Sequence, residues 1–324
     1  MKESDSSPDL GPEDVERAVL GETPVFNAYD VAAQTGVGLD EAQRLWRALG
    51  FPAHGMEIAF TTADAEALST IDDIVGSGLI DFDTAVNLTR GVGQTMARLA
   101  DWEVSTMSQV VDEQDATTAG DLLRVLEQMG KPFERLLIYA WRRHLAAAVT
   151  RVQALRANEE GLNTVQLTVG FADIVSFTAL SNRLSEERIG DLVELFESRC
   201  SDVVASQHGR VIKSIGDSVL FVNDDPVRAY DTAEGIINVI GRDSRMPDVR
   251  LGLASGSVVM RLGDVFGPPV NLAARLTAVA RRNRIIIDSV TAALLPEGEF
   301  ETRALPGRPV RGFGVVEPVA VRRG

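Results

Sequence analysis

Two carboxylates stand where carboxylates need a reason. The stretch 164–175 alternates like a strand, with Val165, Leu167, Val169 and Phe171 on one row, and Asp173 falls on that same row. An unpaired carboxylate in a core row would cost roughly several kcal/mol, so Asp173 must be paired, bound to a cation or placed at the strand's exposed end. Asp217 sits at the tip of an expected hairpin, where Gly216-Asp217 also reads as ordinary turn chemistry. In a β-α-β-β arrangement the end of the first strand and the central hairpin are neighbours. Two carboxylates could therefore converge on one cation pair. Hard, oxygen-only ligands suit Mg²⁺ or Mn²⁺ completed by substrate phosphates.

The elements that must position these residues follow from periodicity. After the strand at 164–175 come a helix over 185–207, two β-rich runs at 210–215 and 219–222, a helix over 226–240 and a strand at 249–259. That order, β-α-β-β-α-β, predicts a ferredoxin-like α+β domain. A further helix over 269–280 places Asn271 and Arg275 four residues apart, on one face.

The preceding stretch reads differently. Residues 27–149 are helical in pattern nearly throughout, and residues 1–14 read as a polar tail. A capping box at Thr61-x-x-Asp64, a helix over 83–100 and a helix over 119–129 closed by Gly130 are expected. Pro132 then opens a long amphipathic helix over 133–155, which ends at the polar break Asn158-Glu-Glu-Gly161. The predicted division is an all-α domain over 1–156 and an α+β domain over 157–324.

Composition agrees with two globular domains. The 324 residues are 45% apolar and 24% charged, and the single cysteine, Cys200, excludes an intrachain disulfide framework. No apolar run approaches the roughly 20 residues of a membrane span, and the N-terminus lacks a signal-peptide core, so a cytoplasmic protein is expected. The net charge of −15 is uneven: residues 1–150 carry 11 Lys+Arg against 25 Asp+Glu. Such a half repels phosphate backbones, whereas the near-neutral second half is the better place for a polyphosphate.

Three segments carry a family resemblance. Val169-Gly-Phe-Ala-Asp-Ile-Val-Ser-Phe-Thr178, Ile212-Lys-Ser-Ile-Gly-Asp217 and Gly263-Asp-Val-Phe-Gly-Pro-Pro-Val-Asn-Leu-Ala-Ala-Arg275 resemble the signatures of class III nucleotidyl cyclases, in order and at suitable spacing. The resemblance implies that Asp173 and Asp217, with the Ile174 carbonyl, hold two divalent metal ions, Mg²⁺ or Mn²⁺. It implies that Lys213 and Asp264 select the purine and that Asn271 and Arg275 act at the transition state. All six side chains are the types expected of an adenylyl cyclase acting on ATP; guanylyl members use a different purine pair. Ser176 departs from the glycine many relatives have. The resemblance also implies a head-to-tail homodimer in which one chain gives Asp173 and Asp217 and the other gives Lys213, Asp264, Asn271 and Arg275.

The first half is similar, more loosely, to the helical regulatory domain of some soluble bacterial cyclases, which implies control of the catalytic domains and, in some members, activation by acid pH. The segment near 28–51 has a helix-turn-helix look, so a nucleotide-sensing DNA-binding regulator is the rival of a different class. The acidic charge and the lack of a basic recognition face argue against DNA. His144, on the long helix near the expected junction, is the candidate titrating group, beside numerous carboxylates.

Overall fold

Alternation with period two builds the second half of the chain, and period 3.6 builds the first. The computed structural model describes residues 11–52, 54–113, 119–157, 164–261, 263–310 and 312–324. The chain divides into two compact units, Met1–Ala146 and Ala147–Gly324.

The first unit is helical. α1 (Pro12–Leu20) starts inside the expected tail, because Pro12 suits a first helical position and Asp14 accepts from the Gly11 N–H. α2 (Ala28–Thr35) is capped by the Asn27 side chain, which accepts from the N–H groups of Tyr29 and Asp30, and it ends at Gly36 with φ 78°. α3 (Leu39–Leu49) and α4 (Thr62–Gly76) follow, the latter opened by the expected Thr61–Asp64 capping box. Val31, Leu45, Trp46, Phe60 and Leu68 form the core of this unit, with Trp46 stacked on Phe60 at 4.3 Å.

α5 (Phe82–Glu113) and α6 (Ala119–Ala157) both outrun their expected bounds. The expected stop at Gly130 and restart at Pro132 do not occur, and α6 passes through both. A proline inside a helix costs about 3 kcal/mol. Here Leu122, Leu126, Met129, Phe133 and Leu137 keep one apolar stripe in phase across it, so interrupting the helix would break that stripe. The polar break at 158–161 lies outside the described residues. Among the described residues, no helix is long and apolar enough to cross a membrane.

The second unit has the α+β fold that the periodicity predicts. Its elements are β1 (Thr164–Ile174), α7 (Phe177–Ser181), α8 (Glu186–Ser206), β2 (Arg210–Ile215), β3 (Ser218–Asn223), α9 (Pro226–Gly241) and β4 (Val249–Arg261). Then come β5 (Asp264–Phe266), α10 (Pro268–Val279), β6 (Ile285–Ile287), α11 (Ser289–Leu294), β7 (Phe300–Ala304), β8 (Arg308–Val310), β9 (Gly314–Val316) and β10 (Val319–Arg323). The main sheet runs β2-β3-β1-β4-β6-β10-β7, with β5 paired to β4. Its first four strands have the ferredoxin-like order; β6 adds in parallel to β4.

The pleat sorts side chains onto two faces. Ala172, Ile174, Val219, Phe221, Leu251 and Leu253 pack with Phe196 of α8 and Tyr230 and Ile236 of α9. The opposite row, Leu167, Val169, Leu220, Val222 and Ala254, packs with Ala273 and Leu276 of α10. Asp173, Arg250 and Gly252 share the parity of that second row and so belong to the α10 face.

Candidate active site

Register places the first carboxylate. Asp173 lies opposite Ser218 of β3 and opposite Arg250 of β4. The Ser218 hydroxyl donates to Asp173 Oδ1, and Arg250 Nε donates to Asp173 Oδ2 at 2.7 Å. Asp217 arrives on the β2–β3 hairpin, where Gly216 adopts φ 61° and Asp217's own carbonyl accepts from the Ile174 N–H at 3.0 Å. That bond ties the hairpin tip to the end of β1, so Asp173, Ile174 and Asp217 are neighbours. The carboxyl of Asp217 titrates above the usual aspartate value, first because of burial and then because of the charge on Asp173.

The site suits a divalent cation by its donor chemistry. Arg250 is the positive charge on Asp173, and its weaker pull on Asp217 does not offset burial and the Asp173 charge. Among the described residues, no group of three or more His, Cys, Asp or Glu side chains gathers to hold a metal. Two carboxylates and a carbonyl are an incomplete, oxygen-only set, which is how Mg²⁺ is commonly held when substrate phosphates complete its shell. Just beyond, Ser176 adopts φ 60°, a left-handed conformation that a glycine would reach more easily.

A second pair forms between strands far apart in sequence. Lys213 of β2 donates through Nζ to Asp264 Oδ2 of β5 at 2.5 Å, while Asp264 Oδ1 accepts from the Val265 N–H. The register of β2 on β3 shifts between Val211 and Lys213, and this irregularity lies beside the lysine. Both groups are partly solvated, 37% and 27% exposed, so the pair is a poor stability device and an accessible donor and acceptor.

The third group rides on α10. Pro269, Ala273, Leu276 and Thr277 are its buried face, and Asn271 and Arg275 lie on the exposed one. Among the described residues, neither the Asn271 nor the Arg275 side chain has a hydrogen-bond or ion-pair partner. No such contact joins them to Asp173 or Asp217 within one chain. The structure thus brings together Asp173 with Asp217, and Lys213 with Asp264, and leaves Asn271 and Arg275 free on their helix.

Residues 161–321 match the family model described as the adenylate and guanylate cyclase catalytic domain. A protein named adenylate cyclase from Streptomyces coelicolor is 36% identical over 339 residues, covering 95% of this chain and 89% of its own. The chain belongs to the adenylate and guanylate cyclase family. A second relative, named pH-sensitive adenylate cyclase, from Mycobacterium tuberculosis, is 30% identical to this cyclase over 95% of it and 81% of the relative. The crystal structure of the adenylyl cyclase CyaB from P. aeruginosa superposes with a TM-score of 0.46 at 23% identity, over 50% of this cyclase and 95% of that chain.

Two residues at the cyclase site escaped the sequence reading. Arg250 is one arginine among many until the antiparallel register of β1 and β4 sets it against Asp173. Ser218 follows Asp217 and looks like turn chemistry until the same sheet turns it onto Asp173. His144 is exposed on α6 in the first unit, after Arg142 and Arg143. In the helix-turn-helix-like segment, Arg44 of α3 is bound to Asp83 at 2.7 Å and lies over the Phe82 ring, so it is engaged within the unit.

Proposed function

We propose that this cyclase converts ATP to 3′,5′-cyclic AMP and pyrophosphate at two equivalent sites shared by a cytoplasmic homodimer, under control of residues 1–156. The Lys213–Asp264 pair carries the choice of ATP. A lysine can donate to adenine N1 and an aspartate can accept from the exocyclic amine; guanine reverses donor and acceptor at those atoms. Adenine entering between them replaces their mutual bond with two bonds to the base.

In the reaction the ribose 3′-oxygen bonds to the α-phosphorus, the bond from that phosphorus to the oxygen bridging to the β-phosphate breaks, and the hydroxyl proton passes to solvent. Asp173, Asp217 and the Ile174 carbonyl would hold two divalent cations, Mg²⁺ or Mn²⁺, which would make the 3′-hydroxyl more acidic and neutralise the leaving phosphates. Asn271 orients the ribose, and Arg275, four residues on along the exposed face of α10, meets the charge that builds on the α-phosphate.

Lys213 and Asp217 lie on one hairpin, and the side chains of Asn271 and Arg275 have no partner among the described residues, which favours completion of each site by a second copy. The exposed stripe Ile138, Trp141, Leu145 and Val152 on α6, spaced like a coiled-coil seam and with Trp141 61% exposed, suits the same partner. The name of the Mycobacterium tuberculosis relative, a pH-sensitive adenylate cyclase, favours pH as the signal read by the first half.

Subunit mixing tests the reading. Asp217→Ala and Asn271→Ala proteins should each be nearly inactive on ATP. After subunit exchange, mixed dimers place both lesions in one site and leave the other intact, so cyclic AMP formation should return to on the order of a quarter of wild type. No recovery despite proven exchange would place each site within one chain.

A further inference from the structure

We propose that Gly252 is a positioning residue for the reaction: the space left by its missing side chain is the seat on which α10 rests, and this seat sets where Asn271 and Arg275 stand. The proposal rests on the roles given to those two residues above. Gly252 is buried near the start of β4, opposite Phe171 of β1 on one side and Ile286 of β6 on the other. Its backbone is not in the left-handed region, so conformation gives no reason for a glycine there.

Space does. A Cβ on Gly252 would lie 2.4 Å from the Thr277 nitrogen, 2.5 Å from the Ala273 carbonyl oxygen and 2.6 Å from Thr277 Oγ1. Two of those three atoms are helix backbone, which cannot rotate aside. Elsewhere in this unit, among the described residues, every glycine whose Cβ would come under 3.0 Å from a neighbour meets side-chain atoms: Gly170 meets Phe221, Gly235 meets Val203, Gly256 meets Pro269 and Gly307 meets Val315. Among the described glycines of this unit, Gly252 is the one whose Cβ would come under 3.0 Å from helix backbone.

The seat is fixed by polar contacts. Thr277 Oγ1 donates to the Ala273 carbonyl at 2.8 Å and lies 3.4 Å from the Phe171 carbonyl on β1. Arg250 Nη1 donates to the Ala278 carbonyl at 3.2 Å. These contacts span residues 273–278, and Arg275 is in their midst, with Asn271 one turn earlier on the same exposed face. A helix moves as a rigid body over so short a span, so lifting α10 at Gly252 displaces both side chains together. A misplacement of about 1 Å can cost on the order of 10²-fold in rate. Gly252 itself is beneath the helix and acts only through it.

The test compares Gly252→Ala, Thr277→Val and Thr277→Ser with wild type, after thermal unfolding and sedimentation have established which variants are folded dimers. Gly252→Ala should lower kcat by about 100-fold while leaving KM for ATP within about threefold, because the purine pair and the two aspartates are untouched. Thr277→Val should lower kcat by about tenfold and Thr277→Ser should restore it, since serine keeps the hydroxyl. Subunit mixing supplies a readout that general destabilisation would not move. Gly252→Ala should recover activity when mixed with Asp217→Ala and stay inactive with Asn271→Ala. Recovery with Asn271→Ala, recovery with neither while the Asp217→Ala and Asn271→Ala control recovers, or full activity of Gly252→Ala would each overturn the proposal. If that control itself fails, the shared-site reading falls separately, and a loss confined to kcat still supports the seat while a loss confined to KM overturns it. If Gly252→Ala does not fold, the Thr277 pair decides by the same kcat criterion.

Discussion

Arg250 and Asp173 face one another across β4 and β1, and the guanidinium holds the carboxylate through Nε and Nη2, each 2.7 Å from Oδ2. The pair is partly shielded, with Asp173 13% and Arg250 32% exposed. If Asp173 holds a divalent cation as proposed, the arginine and the cation would compete for the same carboxylate. An ion pair of this kind contributes on the order of 1 kcal/mol, so Arg250→Gln should tighten Mn²⁺ binding about fivefold in the absence of nucleotide. Titration followed by the electron paramagnetic resonance of free Mn²⁺ reads this directly. An unchanged affinity would show that the guanidinium does not compete.

Asp217 offers a stability test opposite in sign to its activity test. Its pKa in the fold is raised by burial and by the neighbouring Asp173 charge, so the ionised form is the disfavoured one. The fold carries that penalty above the pKa and loses it as pH falls and the group protonates in both states. Asp217→Asn should accordingly raise the melting temperature at pH 7 without divalent ions, and the gain should vanish toward pH 3. The same variant should lose at least about 100-fold in turnover, as removal of a metal ligand does. A lower melting temperature at pH 7 would contradict the assigned cause of the shift.

Lys213 and Asp264 are expected to matter for the base and little for the fold. Changing both to alanine should lower kcat/KM for ATP by about 100-fold, two lost hydrogen bonds to the base being worth roughly 3 kcal/mol together. The exposed Arg322–Glu301 pair is the control, and its double alanine variant should change kcat/KM by less than about twofold. Equal effects from the two pairs would remove Lys213 and Asp264 from the purine site.

Much of this was legible in the residues. Strand alternation at Val165, Leu167, Val169 and Phe171 fixes which face Asp173 joins, and helical spacing puts Asn271 and Arg275 together. What the residues do not carry is register. Arg250 meets Asp173, and Gly252 lies under Thr277, only because β1 and β4 pair at one offset out of many. The continuity of α6 was hidden for another reason. Gly130 and Pro132 are strong local stop signals, and the in-phase stripe from Leu122 to Leu137 overrides them. A helix start at Pro12 was likewise masked by the polar residues around it.

Regulation by the first half is expected to appear as a pH response. At saturating metal and ATP, full-length protein should be more active at mildly acidic than at mildly alkaline pH. The fragment 147–324, which is the second compact unit, should respond more weakly. His144→Ala in the full chain distinguishes that histidine from the many carboxylates of the first unit: a flattened profile assigns the response to His144, and an unchanged profile assigns it elsewhere. A fragment with the full-length profile would rule out pH sensing by the first half.

The central claim is a reaction, and its products are the most direct test. Purified full-length protein, incubated with ATP or with GTP in the presence of Mn²⁺ across a range of pH, should yield 3′,5′-cyclic AMP and pyrophosphate from ATP, with little cyclic GMP from GTP, when the products are separated by chromatography. Cyclic GMP as the main product would contradict the adenine reading of Lys213 and Asp264, and no cyclic nucleotide from either substrate at any pH would contradict the cyclase itself.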